Sequence, residues 1–351
     1  MTRVALVLAA LAAGALPARP DTPPPVLALG GLDPVALANG TETPGKDALE
    51  VTHGRFTYRF ATEANKAAFL ARPAERAIQF GGACGRMGPF SGPGNPTRFH
   101  AHDGRLYIFA SEACRTSFKR DPDKHIEQPN PVPQGSDDER ARGAKLVERA
   151  LDGFGGAKAV DAIRSLTRVE KLVYTQGGKE TVGTGRAAWV FPDAVRTEED
   201  FGTPYGLVLT RDGGFEFSGR QDWPIEPELR ADARRRALRE PLLLLRNRTA
   251  PGFVAVARGP NTVEVALAGA TSTWTLDEKT GRILRAEYRA RRWTVGDNAV
   301  AFADFRVVNG VVLPHKRTEF FDGKELTVPE RRLVSLEVNG DVKADGFVRP
   351  K

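Results

Sequence analysis

The chain is poor in sulfur and imidazole: two cysteines, two methionines and five histidines serve 351 residues. At most one disulfide, or one small thiolate site, can therefore exist. No phosphate-binding loop, dinucleotide fingerprint or zinc-protease signature is present, and the acidic residues form no paired arrangement with an obvious catalytic role. Basic and acidic residues alternate along the chain, so the net charge of +7 builds no basic stripe of the kind a nucleic-acid partner requires. The longest apolar run before residue 20, Val4 to Leu11, is too short to span a bilayer, and no later run is longer.

What is present begins with a leader. Arg3, the apolar run and the small residues Ala13-Gly14-Ala15 read as a signal peptide over residues 1–15, with a cut after Ala18 as the alternative. No cysteine follows either cut, which argues against a lipid-anchored form. The expectation is a periplasmic or secreted protein. Its length suggests two domains. Residues 129–139, with Pro129, Pro131 and Pro133 and no apolar period, read as an extended linker between them.

The N-terminal half contains a motif twice. Gly54-Arg55-Phe56-Thr57-Tyr58-Arg59-Phe60, then Thr62-Glu63-Ala64-Asn65, Phe69 and Pro73, returns as Gly104-Arg105-Leu106-Tyr107-Ile108-Phe109, then Ser111-Glu112-Ala113-Cys114, Phe118 and Pro122. From Phe60 onward the offset is constant at 49 residues. Each copy reads as a short strand and a small helix, capped by Thr or Ser beside Glu and burying a phenylalanine. Copy two has Cys114 where copy one has Asn65.

These residues resemble the YHS domain, a relative of TRASH-type metallochaperone modules. The similarity lies in Tyr107-Ile108-Phe109, Ser111-Glu112, Cys114, Phe118, Asp121-Pro122 and Ile126, with Cys84-Gly85-Arg86-Met87 upstream. Gly31-Leu32-Asp33-Pro34 and Gln79-Phe80-Gly81-Gly82 resemble exported bacterial members. The resemblance covers roughly residues 28–128 and implies a metal-binding or interaction module. Ala110 stands where a metal-competent unit carries a further cysteine. Thiolates suit copper(I) or zinc, and Met87, His100 and His102 are the candidates to complete a site with Cys84 and Cys114. Two other states are open to the pair. One is a disulfide, worth about 3 kcal/mol for a loop of this length; the other is two inert thiols. No acid or base partner marks Cys84 as a nucleophile, and His53 and His125 have no spacing partner.

The C-terminal half, 140–351, opens with helical spacing over Ala144 to Leu151 and a glycine stop at Gly155-Gly156. About ten strands with short turns follow, Asn309-Gly310 and Asp322-Gly323 being hairpin signals, so a single curved antiparallel sheet or open barrel is expected. Arg230 to Arg239 reads as a solvated helix face. Phe154-Gly155-Gly156-Ala157, Phe191-Pro192-Asp193 and the stretch from Phe302 to His315 resemble LolA/LolB-like periplasmic lipoprotein carriers, whose fold is a half-barrel over an apolar cavity. The cavity candidates are Trp189, Phe191, Leu243, Val265, Leu267, Trp274 and Phe305, with Pro241 to Leu245 as plug or lid. A dry core built from the same side chains is equally open.

The fold expected is α+β: a small tandem YHS-like strand–helix module, then a large antiparallel β half-barrel with covering helices. The function expected is non-enzymatic binding of an apolar small molecule or lipid, with a possible envelope protein as partner. Copper or zinc handling and a purely structural envelope role are the alternatives.

Overall fold

The computed structural model describes residues 24–219, 221–342 and Phe347. The expected leader lies outside them. The N-terminal part runs β1 (Val26–Leu27), α1 (Pro34–Ala38), β2 (Lys46–His53), β3 (Phe56–Phe60), α2 (Glu63–Ala71) and α3 (Pro73–Arg76), then β4 (Asn95–His102), β5 (Arg105–Phe109) and α4 (Glu112–Arg120). Strands β2 and β3 form one antiparallel pair, with β1 added in parallel, and β4 and β5 form the other.

The two copies are built alike down to individual contacts. The Thr62 hydroxyl accepts from the Asn65 amide at 3.1 Å and the Ser111 hydroxyl from the Cys114 amide at 3.2 Å, each starting its helix. Phe69 meets Tyr58 at 4.8 Å and Phe60 at 5.2 Å between ring centroids; Phe118 meets Tyr107 at 4.8 Å and Phe109 at 5.2 Å. The repeat also extends upstream of the motif. Leu29, Gly30 and Gly31 have φ of 55, 63 and 86°, and Phe80, Gly81 and Gly82 have φ of 59, 59 and 82°. Two non-glycine residues thus hold the left-handed conformation at equivalent points, each at a cost of about 1 kcal/mol. In return, Gly31 accepts from the Gly45 amide and Gly82 from the Gly94 amide, both at 2.9 Å. This correspondence makes Cys84 the equivalent of Asp33.

The C-terminal part starts with α5 (Asp137–Gly153), whose capping box joins Ser136 and Glu139, and α6 (Ala157–Asp161). Six strands follow: β6 (Ser165–Gln176), β7 (Lys179–Val190), β8 (Ala194–Asp200), β9 (Pro204–Leu209), β10 (Gly214–Ser218) and β11 (Gln221–Pro224). Two helices, α7 (Pro227–Ala237) and α8 (Pro241–Arg246), lead to β12 (Val254–Ala257), β13 (Thr262–Leu267), β14 (Ala270–Leu276), β15 (Ile283–Arg291), β16 (Val295–Val308), β17 (Val311–Phe321), β18 (Lys324–Glu325) and β19 (Glu330–Val338). Asn309-Gly310 and Asp322-Gly323 have positive φ at both positions and make the expected tight hairpins.

One expectation is corrected. The strands make two unclosed seven-stranded sheets, in the orders β11-β10-β9-β8-β7-β6-β19 and β12-β13-β14-β15-β16-β17-β18, rather than one curved sheet. The chain leaves the first sheet through α7 and α8, builds the second, and sends β19 back to pair with β6. A second correction concerns the linker. Asn130 hydrogen-bonds Gly269 and Arg289, and the Pro131 carbonyl accepts from Thr271, so this segment is strapped to the second sheet instead of standing free; α5 already begins at Asp137. Pro241 to Leu245, expected as a plug, form the start of α8, and all five are buried in the core between the sheets and α5.

Asp33 is fully buried and accepts four hydrogen bonds, from the amides of Val35, Ala36 and Ala61 and from the Asn65 side chain, at 2.7 to 3.1 Å. A buried donor left without an acceptor costs about 1–3 kcal/mol. Asp33→Ala should therefore destabilise the N-terminal part by about 3 kcal/mol, read as a lowered urea midpoint, and an unchanged midpoint would refute this role.

Candidate functional site

Three side chains meet where the two sheets converge. Glu240, the residue before α8, accepts from Arg317 of β17 at 2.8 Å and lies 3.7 Å from Arg168 of β6. Burial opposes ionisation of Glu240, but Arg317 and Arg168 outweigh it and hold its carboxyl below the ordinary range. Arg168 lies over the Trp189 ring at 5.4 Å and Arg317 over Phe302 at 5.1 Å.

This triad divides two spaces. Outside it, between β17 and β19, an open cleft of about 620 Å³ is lined by Arg168, Glu170, Arg292, Arg317, Glu319 and Arg331 among others. Its charges are mutually paired: Arg331 with Glu170 at 3.2 Å and Glu199 at 2.7 Å, Arg292 with Glu319 at 2.9 Å. On the other side a second space of about 320 Å³, also open to solvent, lies between the facing sheets and beneath α7. Trp189, Val195, Leu207 and Leu209 line it from the first sheet, and Val300 and Phe302 from the second. Arg236, Arg239 and Tyr288 add polar groups to the wall.

Of the seven residues expected to line a cavity, Trp189 does so. Leu243, Val265, Leu267 and Trp274 belong to the packed core and are not part of this wall. They share one buried cluster with Leu146, Val147, Ala150 and Leu151 of α5. Phe191 packs against that core beneath Arg246, and Phe305 borders a gap of about 30 Å³, room for roughly one water. Leu207, Val300 and the arginines were missed; alternation along β9 and β16 marks an inward face but cannot say which inward face stays uncovered.

The Arg230 to Arg239 run is not a solvated face. The Arg235 side chain is only 6% exposed and lies 3.6 Å from Glu127, which also pairs with Arg239 and accepts from the Arg291 amide at 2.7 Å. Arg236 lies over Phe90 at 5.2 Å. These contacts dock the N-terminal part onto α7. Arg291 completes the joint by donating to the carbonyls of Arg86 and Met87. Gly88, at φ 84°, is needed there because a Cβ would strike the Arg291 guanidinium.

The turn gripped by Arg291 begins at Cys84. Both cysteines are free thiols. Buried Cys84 occupies the position equivalent to Asp33 of the first copy, and Cys114 that of Asn65, so the thiol pair stands where the first copy has the 2.7 Å Asn65–Asp33 hydrogen bond. Burial works against ionisation of Cys114, yet hydrogen bonds from Ser111 and Cys84 and the charge of Arg86 bring its value below that of an ordinary thiol. The matching segments Leu29-Gly30-Gly31-Leu32-Asp33 and Phe80-Gly81-Gly82-Ala83-Cys84 were the signal for this pairing in the sequence.

The histidines do not join the thiols. Among the described residues no group of three or more His, Cys, Asp or Glu side chains is placed to hold a metal ion. His102 sets its edge on Phe118 at 6.2 Å, as His53 does on Phe69 at 6.0 Å, so both belong to the repeated scaffold and are each other's counterparts. His100 also edges onto Phe118, and buried His125 stacks on it at 5.8 Å. Met87 is half-exposed on the Arg291 turn.

No family model and no curated protein matches the chain. Among solved structures it is similar to a DUF1329 family protein from Desulfovibrio piger, with a TM-score of 0.37 and 10% identity over 60% of this chain and 97% of that one. It is likewise similar to a LolA superfamily protein from Nitrosomonas europaea, with a TM-score of 0.37 and 10% identity over 58% of this chain and 96% of that one. Likeness at this level decides neither family nor ligand. Among the described residues no helix is long and apolar enough to cross a membrane.

Removing one member of a buried ion pair strands the rest. The Glu240 side chain retains 17% exposure, so Glu240→Gln should cost about 3 kcal/mol at pH 7, the low end for such a loss. Because the folded carboxyl titrates below its unfolded counterpart, this stability is present above about pH 4.3 and fades as pH falls through the lower folded value. Urea titrations across pH 3–7 should show the variant with a flatter acid limb; parallel curves would refute the triad's role.

Proposed function

We propose that this chain is a periplasmic binding protein without catalytic activity. It carries an apolar ligand, a lipid or acyl chain, between the two sheets of its β-rich domain, residues 140–351. The YHS-like module, residues 28–128, is docked over that domain and serves as its interaction or metal-binding part, for an envelope protein or a soft metal ion. The observation that supports carriage is a space of about 320 Å³ between the facing sheets whose walls are mostly aliphatic and aromatic, within the usual size range of small-molecule sites.

Leu207, half-buried on β9, allows a test with little damage to the core. Protein purified from the native envelope should yield an extractable lipid by mass spectrometry. Leu207→Asp should reduce that lipid at least tenfold while leaving the circular dichroism unchanged. Equal lipid in both proteins, or none in either, would sink the carriage reading.

A second reading, copper or zinc handling, is favoured by one observation: the repeat brings Cys84 and Cys114 together and gives Cys114 thiolate character. Two thiolates, with Met87 as a third soft donor, suit copper(I). Reduced protein should bind one equivalent of copper(I), and Cys114→Ser should lose it. An unaltered affinity in that variant would dismiss the site.

A further inference from the structure

The inner cavity has a peculiar polar balance. Five of the eight polar side chains on its wall can only donate: the guanidinium groups of Arg168, Arg236, Arg239 and Arg317 and the indole of Trp189, beside the hydroxyls of Thr197 and Tyr288 and the carboxylate of Glu240. The one carboxylate, Glu240, is already committed to Arg168 and Arg317. Arg239 is bound to Glu127 on the far side of α7.

That leaves the Trp189 indole without an acceptor and Arg236 without an ion-pair partner among the described residues. Trp189 is 5% exposed, and its Nε1 has no hydrogen-bond partner among the described residues. Arg236 makes no ion pair with a described residue; only the Phe90 ring lies under it, while Glu127, Asp232 and Glu216 act on it from further away. Trp189 belongs to β7 of the first sheet and Arg236 to α7 above it, so the two arise independently and border the same space. A buried N–H without an acceptor costs about 1–3 kcal/mol. The outer cleft has no such surplus, because its arginines and glutamates are paired with one another.

We propose that the cavity is built for an anionic amphiphile. Its apolar chain lies against Val195, Leu209, Val300 and Phe302, and its carboxylate or phosphate head accepts hydrogen bonds from Arg236 and the Trp189 indole. This rests on the carriage reading above and adds the chemistry of the head. A neutral amphiphile with the same chain fills the same volume but leaves the Arg236 charge unanswered, so the site discriminates against it.

The test uses the full chain, stripped of lipid, and three probes with one chain length: dodecanoate, dodecyl phosphate and dodecanol. Titration calorimetry at pH 8 should give at least tenfold tighter binding for one or both anions than for dodecanol. Preference for one anion identifies the head as carboxylate or phosphate, and either supports the proposal. Arg236→Leu should bring the anions down to the dodecanol level without weakening dodecanol. Trp189→Phe, which keeps an aromatic side chain but removes the N–H, should narrow the preference several-fold without weakening dodecanol to the same degree, and it tests the idea even if Arg236→Leu fails to fold. Equal binding of all three probes to the wild-type chain would overturn the anionic head while leaving the apolar site standing. Binding of none would overturn carriage itself.

Discussion

Everything in the β-rich part depends on Glu240 being held between Arg168 and Arg317. The first sheet contributes Arg168 and the second Arg317, and the carboxylate arrives from the chain segment that joins them. Each sheet can bury one face on α5 and α8, and that apolar burial dominates stability. Apolar burial is not directional, however. It does not fix how far apart the sheets stand at the β17–β19 edge, where no strand ladder joins them. An ion triad of limited exposure does fix it, because any other spacing strands a charge. The cavity exists because the triad holds the sheets apart at a spacing their side chains do not fill.

The same logic explains why the cleft and the cavity differ. Along β6 and β17 arginine and glutamate follow one another on one face (Arg168 and Glu170, Arg317 and Glu319), and Arg331 of β19 pairs with Glu170 and Glu199 across the seam. Deeper in, the strands switch to valine, leucine and aromatics, while α7 adds arginines with no matching carboxylates inside. The seam is thus a charged but balanced rim, and the interior an apolar space with surplus donors. A pocket that only had to be filled would have no reason to place Arg236 and the Trp189 indole on its wall.

The small fold was legible in the sequence because its information is local. The caps at Thr62 and Ser111, the buried Phe69 and Phe118 and the Asn309-Gly310 hairpin each depend on residues within one turn of the chain. The division into two sheets was not legible, since β16, β17 and β19 read alike whether they lie in one sheet or two, and only the return of β19 to β6 decides it. The cavity wall was misread for the same reason: Trp274 and Trp189 have the same alternating context, yet α5 covers one and nothing fills the space before the other. The arginines of α7 had helical spacing without visible partners, because Glu127 lies over a hundred residues away in sequence.

The two copies of the duplicated module differ at one hydrogen-bonded pair of positions. Its scaffold is repeated contact for contact, including His53 and His102, so those histidines belong to the frame. The copies diverge where Asp33 and Asn65 give way to Cys84 and Cys114. In the first copy the pair is a closed hydrogen-bonded lock beneath two helices. In the second it is a dithiol whose turn is gripped by Arg291, the last residue of a cavity-bordering strand. Glu127 binds the Arg291 amide on one side and Arg235 and Arg239 of α7 on the other. The turn that carries the thiol and the helix that roofs the cavity therefore share one charged joint. A change at either end has to be absorbed by the same few side chains, which gives the two halves a physical reason to act as one protein.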